Sequence, residues 1–67
     1  MSVYNEEGRS VKQRILIKKL KKAGFVFKVH GGNHDTYVRG NETEQVPRHK
    51  EIDERLARKI IKQWGLE

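Results

Sequence analysis

The stretch GGNHDTYVR, residues 31–39, decides how this chain is organised. Glycine accepts positive φ freely and asparagine tolerates it, so the first three residues of the stretch predict a tight turn. The segment 36–38 that follows has a strong preference for β-strand. His34 therefore lies where a turn becomes a strand, a position that can hold a side chain firmly and still leave it accessible to solvent.

Strands are predicted on both sides of this turn. Segment 25–30 has the composition of a strand, and the two-residue period assigns its side chains to two faces, Phe25, Phe27 and Val29 on one and Val26, Lys28 and His30 on the other. The same period separates His34, Thr36 and Val38 from Asp35, Tyr37 and Arg39 in the second strand. Gly40 and Asn41 predict a second turn. Residues 44–47 then form a short third strand, which Pro47 ends or confines to a sheet edge.

One helix is predicted before the sheet and one after it. Ser10 and Gln13 fit a capping box, so the first helix is expected over residues 10–23, with Gly24 as its stop. Its apolar stripe consists of Leu16, Ile17, Leu20 and Ala23, and Val11 and Ile15 extend it. The second helix is expected over residues 52–64, with Gly65 as its stop. Its apolar stripe consists of Ile52, Leu56, Ile60, Ile61 and Trp64.

These elements predict an α+β fold in the order α-β-β-β-α, with a three-stranded antiparallel sheet. Because each helix has a single apolar stripe, both helices are expected to pack on one face of the sheet. The other face is then free to meet solvent or a ligand.

Length and composition narrow the class of protein. With 67 residues, the chain is expected to form one domain near the lower size limit for a self-sufficient core, preceded by a flexible arm over residues 1–9. The absence of cysteine excludes disulfides and thiolate metal sites. No apolar run approaches the roughly 20 residues that span a bilayer, so no membrane partner is expected and a cytoplasmic protein is predicted.

The charge of the chain favours a polyanionic partner. Fifteen Lys and Arg against nine Asp and Glu give a net charge of +6. Between residues 9 and 34 the sequence contains cations and no carboxylate: Arg9, Lys12, Arg14, Lys18, Lys19, Lys21, Lys22 and Lys28. This concentration suits nucleic acid better than a membrane surface. The alternative is that the cations only keep a helix face solvated.

The histidines suit RNA cleavage better than metal binding. Cutting RNA without a metal requires proton transfer at a ribose hydroxyl and at the leaving oxygen, which histidine performs near neutral pH, and cations that stabilise the charged phosphorane. The spacing of His30, His34, His49 and Asp35 matches no zinc motif, so neither a metal nor another cofactor is predicted. His30 and His49 are interpreted individually as solvated strand-end and loop residues.

Four short segments, in order, resemble a known family over about residues 10–66. They are residues 19–25, 32–37 (GNHDTY), 46–49 (VPRH) and 60–66 (IIKQWGL). In these segments the chain resembles HicA-type toxins, the small mRNA interferases of HicAB toxin–antitoxin pairs.

The resemblance implies a fold like a double-stranded-RNA-binding domain, over residues 10–67. It also implies ribosome-independent cleavage of mRNA and inhibition by a HicB-type antitoxin that covers the active site. The catalytic histidine of the family corresponds to His34. Many relatives have a second histidine directly afterwards, where this chain has Asp35, so the general acid stays open. The candidate RNA contacts are Lys28, Gly32, Asn33, Arg39 and Arg48.

Two alternatives to a ribonuclease follow from the same residues. One is a non-catalytic RNA-binding module of the same fold. A duplex binder is expected to place cations at the start of its last helix, where this chain has Asp53 and Glu54. The other is an adaptor that binds only protein, in which removal of His34 would have no effect.

Overall fold

The computed structural model describes residues 10–66 and has the predicted α+β class. Its elements are β1 (Ser10–Lys12), α1 (Gln13–Lys22), β2 (Val26–His30), β3 (His34–Arg39), β4 (Glu42–Pro47), β5 (Glu51–Asp53) and α2 (Glu54–Trp64). Strands β2, β3 and β4 form a three-stranded antiparallel sheet in sequence order. This confirms the predicted order α-β-β-β-α, to which two short strands are added. The predicted arm over residues 1–9 lies outside the described residues.

The start of α1 was predicted wrongly, because Ser10 belongs to a strand. β1 pairs antiparallel with β5, and Val11 lies opposite Ile52 in a small second sheet. Both side chains are buried, so the pairing of the two strands removes their apolar surface from water. The Ser10 hydroxyl donates to Glu51 instead of capping the helix, and α1 begins at Gln13 without a side-chain cap.

Helix α2 likewise begins two residues later than predicted, since Ile52 is in β5. Asp53 is the N-cap, and its carboxylate accepts a hydrogen bond from the backbone N–H of Arg55. The helix ends at Trp64. Gly65 follows with φ of 65°, a left-handed conformation that glycine adopts without strain, and this confirms the predicted stop.

The core lies between the two helices and one face of the three-stranded sheet, here called the inner face and marked by Asp35, Tyr37 and Val46. Side chains from every layer are buried in it: Val11, Leu16, Leu20, Phe25, Tyr37, Val46, Ile52, Ala57, Ile60, Ile61 and Leu66. The opposite, outer face carries His34, Thr36 and Val38, as the alternation in β3 predicted.

The predicted faces of β2 are wrong beyond Phe27, because the strand contains a bulge. Phe27 lies opposite Tyr37 and Val29 lies opposite Thr36, which leaves Lys28 without a partner on β3. The extra residue reverses the alternation, so Phe27 shares the inner face with His30, while Val29 shares the outer face. Phe27 and Val29 are 41% and 51% exposed, so neither belongs to the core.

The turn between β3 and β4 is tighter than expected. Arg39 pairs with Glu42, so only Gly40 and Asn41 form the loop, and Gly40 has φ of 58°. β4 therefore begins at Glu42 instead of residue 44. It ends at Pro47 on the sheet edge, as predicted.

Candidate active site

The turn that carries His34 is held by backbone hydrogen bonds on both sides. The N–H of Gly31 donates to the carbonyl oxygen of His34 at 2.6 Å, and the N–H of Arg48 donates to that of Asn33 at 3.0 Å. A Cβ atom at Gly31 would lie 2.7 Å from the His34 carbonyl oxygen, whereas Gly32 has open space around it. Neither glycine has positive φ. The glycine is therefore needed at residue 31 for close approach of the two strands, not for the left-handed backbone that the sequence suggested.

His34 is the first residue of β3, and its side chain is exposed. The side chain of His34 makes no hydrogen bond or ion pair with another residue in the range 10–66. Both of its ring nitrogens are therefore accessible for proton exchange with a ligand. The structure thus combines a fixed backbone with a free imidazole, which is what the position was predicted to offer.

Beside His34, Asp35 is turned to the inner face and binds two cationic or ionisable side chains. The carboxylate is only 12% exposed, and its Oδ1 atom lies 2.7 Å from Nδ1 of His30 and 3.6 Å from Nε of Arg48. Arg48 also reaches the Gly31 carbonyl oxygen at 3.4 Å. The cluster connects the ends of β2 and β3 to the segment after β4, and so fixes the end of the sheet next to His34.

His30 is therefore exposed, as predicted, but it has a partner that sequence reasoning missed. Its side chain is 64% exposed while Nδ1 contacts Asp35. His30 and Asp35 flank the four-residue segment 31–34 symmetrically, and residues placed in this way pair across a hairpin. This symmetric placement was the sequence signal from which the contact between His30 and Asp35 could have been predicted. His49 is exposed in the loop after β4, in agreement with its interpretation as a loop residue.

Four of the five candidate RNA contacts lie on the β2–β3 hairpin or at the end of the sheet that carries His34. Gly32 and Asn33 are exposed in the turn, Lys28 is exposed at the bulge, and Arg48 belongs to the Asp35 cluster. Arg39 is at the other end of β3, five residues or about 17 Å along the strand. The structure therefore does not bring Arg39 to His34.

Arg39 is instead occupied by contacts within the fold. Its Nε atom donates to Glu42 at 2.6 Å and one terminal nitrogen donates to the Ala23 carbonyl oxygen at 2.8 Å. The guanidinium carbon also lies 4.6 Å from the centre of the Phe25 ring and 5.8 Å from that of Trp64. These contacts leave little of the guanidinium for a phosphate.

The aromatic side chains of Trp64 and Tyr37, which could in principle stack on bases, are also engaged in the fold. The Trp64 ring meets Phe25 edge-on at 5.2 Å and its N–H donates to Glu44. Tyr37 is buried, and this burial, followed by the negative charge of Asp35, raises the pKa of its hydroxyl above the usual 10.0. Tyr37 therefore stays neutral at physiological pH and belongs to the core.

The surface charge is asymmetric between the helices. Within residues 10–66, the cations of α1 have no ion pair with a carboxylate: Arg14, Lys18, Lys19, Lys21 and Lys22. Helix α2 begins with Asp53 and Glu54, and Glu54 pairs with Arg58 at 3.4 Å. A polyanion is therefore attracted more strongly to α1 than to the start of α2.

Neither a metal site nor a membrane helix is found in the described part of the chain. No group of three or more His, Cys, Asp or Glu side chains is placed to hold a metal ion within residues 10–66. Neither helix of this range is long and apolar enough to cross a membrane.

Comparison with known proteins identifies the family. The family model described as the HicA toxin of bacterial toxin–antitoxin systems matches residues 14–66, nearly the whole chain. The chain belongs to the HicA toxin family. It is therefore a toxin of a toxin–antitoxin system, and membership of the HicA family implies an antitoxin as its partner. No curated protein and no solved structure matches the chain significantly, so the likeness to a double-stranded-RNA-binding domain stays a prediction.

Proposed function

We propose that this HicA toxin is a ribosome-independent, metal-independent mRNA endoribonuclease in which His34 carries out one of the two proton transfers of RNA cleavage. The observation that supports this role most directly is the free, exposed imidazole of His34 on a backbone held at Gly31 and Arg48. A proton-transfer group must be both positioned and accessible, and His34 meets both conditions.

The proposed reaction is an internal transfer of the phosphate. A base takes the proton of a ribose 2′-OH, the 2′-oxygen forms a bond to phosphorus, and the bond from phosphorus to the 5′-oxygen breaks. The leaving 5′-oxygen takes up a proton, so the products are a 2′,3′-cyclic phosphate and a 5′-hydroxyl. His34 serves one of the two proton transfers, and Arg48 and Lys28 stabilise the charge that develops on the phosphate.

A HicB-type antitoxin is proposed to inhibit the enzyme by covering His34. The support is the exposure of the imidazole and of the turn residues Gly32 and Asn33, which leaves the site open to a protein partner as well as to RNA. The net charge of +6 makes an acidic inhibitor the electrostatically favoured one.

The alternative of a binding-only module is less well supported by the charges of α2. A protein that holds duplex RNA through a helix N-terminus needs cations there, whereas α2 begins with Asp53 as its cap and Glu54 in its first turn. Binding without cleavage remains a distinct outcome of the following experiment.

The test is the cleavage of a labelled mRNA fragment by purified His34→Ala protein. The variant should lose about 10²–10⁴-fold in rate, the usual contribution of one general acid–base group. It should also stop inhibiting growth while its circular dichroism stays that of the parent. His49→Ala, in the exposed loop after β4, is the matched control and should cut RNA at a rate close to the parental one. Cleavage by the parent should survive EDTA. A folded His34→Ala protein that cuts at the parental rate would exclude His34 from the mechanism.

A further inference from the structure

Phe27 presents an aromatic ring to solvent on the inner face. It is 41% exposed, whereas Phe25 and Tyr37 are buried and Trp64 is occupied by Phe25 and Glu44. Among residues 10–66, Phe27 is thus the aromatic residue with the most accessible ring. A partly exposed phenylalanine contributes less hydrophobic free energy to folding than a buried one, so Phe27 is a candidate for contact with a ligand.

The Phe27 ring is held in place by its neighbours. The centre of its ring lies 5.7 Å from that of Tyr37 in an edge-on arrangement and 4.8 Å from that of His30, with a tilt of 58°. Tyr37 is fixed in the core, and His30 is fixed by its hydrogen bond to Asp35. The result is a rigid pair of rings that need not be ordered when a ligand binds, which lowers the entropic cost of stacking.

The surroundings of Phe27 favour a nucleobase over a protein side chain. The other exposed apolar residues of β2, Val26 and Val29, lie on the outer face, Val26 by the alternation of the strand and Val29 because of the bulge at Lys28. On the inner face, Phe27 is instead followed by His30, Asp35 and Arg48. A protein interface usually has a contiguous apolar patch, while single-stranded nucleic acid is bound by isolated aromatic rings beside cations.

We propose that Phe27 and His30 form a stacking platform for one unpaired base of the RNA, which rests on the proposed function as a ribonuclease. Phe27 lies opposite Tyr37, three residues or about 10 Å along β3 from His34. The platform and His34 are on opposite faces, so the RNA passes from one to the other around the turn at Gly32, where space is open. A paired base has no free face for the ring, so the platform selects single-stranded RNA.

The experiment measures binding apart from cleavage, in a His34→Ala background. The probe is a short single-stranded oligoadenylate with a fluorescent label, and the variants are Phe27→Leu, Phe27→Tyr and Val29→Ala. Phe27→Leu keeps an apolar side chain but removes the ring, and its affinity should fall about 5- to 150-fold, as for the loss of one base stack. Phe27→Tyr should retain the affinity. Val29→Ala, on the outer face of the same strand, should leave it unchanged.

A salt titration separates stacking from phosphate contact and from damage to the fold. Phe27→Leu should lower the affinity at every salt concentration without changing the slope of log K against log salt. Lys28→Gln, which removes a charge, should reduce that slope by about 0.7 if it neutralises one phosphate. A 2-aminopurine in the oligonucleotide should be quenched on binding to the parent more strongly than on binding to Phe27→Leu.

Two results would overturn the platform. One is an unchanged RNA affinity of folded Phe27→Leu, and the other is an equal loss of RNA affinity in Val29→Ala. In the first case, a loss of antitoxin binding by the same variant would make Phe27 part of a protein interface. Since the probe is not cut, these results are independent of whether the parent protein cleaves RNA.

Discussion

Replacement of Arg39 with alanine decides between two roles for this residue. Its place in the sequence suggests a phosphate contact, whereas the structure joins it to Glu42, to the Ala23 carbonyl oxygen and to the rings of Phe25 and Trp64. We expect the alanine variant to lose stability and to keep its intrinsic affinity for RNA when folded.

The expected loss can be worked out from these contacts. A hydrogen bond from a charged group to a carbonyl contributes about 1.5–3 kcal/mol. A cation above an aromatic ring adds about 0.5–2 kcal/mol. The pair with Glu42 adds little, since the two side chains are 34% and 43% exposed and water screens their charges. The loss is therefore about 2–5 kcal/mol. At about 0.05–0.15 kcal/mol per residue, a domain of this size has only about 3–10 kcal/mol in total.

Urea denaturation and RNA binding, measured on the same samples, give the two quantities. Arg58→Ala is the matched control, because Arg58 is 59% exposed on α2 and pairs with Glu54 at the surface. It should change the free energy of unfolding by less than about 1 kcal/mol. An Arg39→Ala protein with a parental denaturation curve and weaker RNA binding would refute the structural role and restore the phosphate contact.

Three further predictions concern the core, the small sheet and the bulge. Leu20→Ala should lower the free energy of unfolding by about 2–5 kcal/mol, and Ile15→Ala, at an exposed site on the same helix, by clearly less in the same urea series. The hydrogen bonds from Lys12 and Ser10 lower the pKa of Glu51 below 4.5. They therefore add to the free energy of unfolding above pH 4.5, and this contribution is lost as the pH falls through the lower pKa of the folded state. In an acid denaturation series, Glu51→Gln should not show this loss. Deletion of Lys28 should preserve the fold, because this residue has no partner on β3. Deletion of Val38 should unfold the protein, because it shifts the register of a paired strand. Circular dichroism measures both outcomes.

Features set by local periodicity were predictable from the sequence. Leu16 and Leu20 recur at helical spacing, as do Ile60 and Ile61 with Leu56, and these positions face the core or its border. The alternation in β3 correctly placed Tyr37 inward and His34 outward. Gly65 was recognised as a helix stop because its left-handed backbone is specific to few residue types.

Features set by distant partners were not predictable. β1 and β5 have three residues each, too few to show a period, and they pair across about 40 positions of the chain. The bulge at Lys28 leaves no local sign in a run of strand-forming residues, and it reversed the predicted faces of Val29 and His30. The contacts of Arg39 depend on Ala23 and Trp64, which only the folded chain brings together.

Asp35, at the position where many relatives are expected to have a second histidine, has an imidazole as its partner because of the turn before β3 and not because of the bulge. In β3 the residue after His34 points to the inner face, where a carboxylate needs a partner to be buried. Because His30 and Asp35 lie directly opposite each other across residues 31–34, their side chains share that face, and His30 binds the carboxylate. An imidazole is therefore present at this level of the sheet although it comes from β2 instead of β3. The bulge lies between Phe27 and Val29, farther from the turn, so deletion of Lys28 should leave the pair of His30 with Asp35 intact.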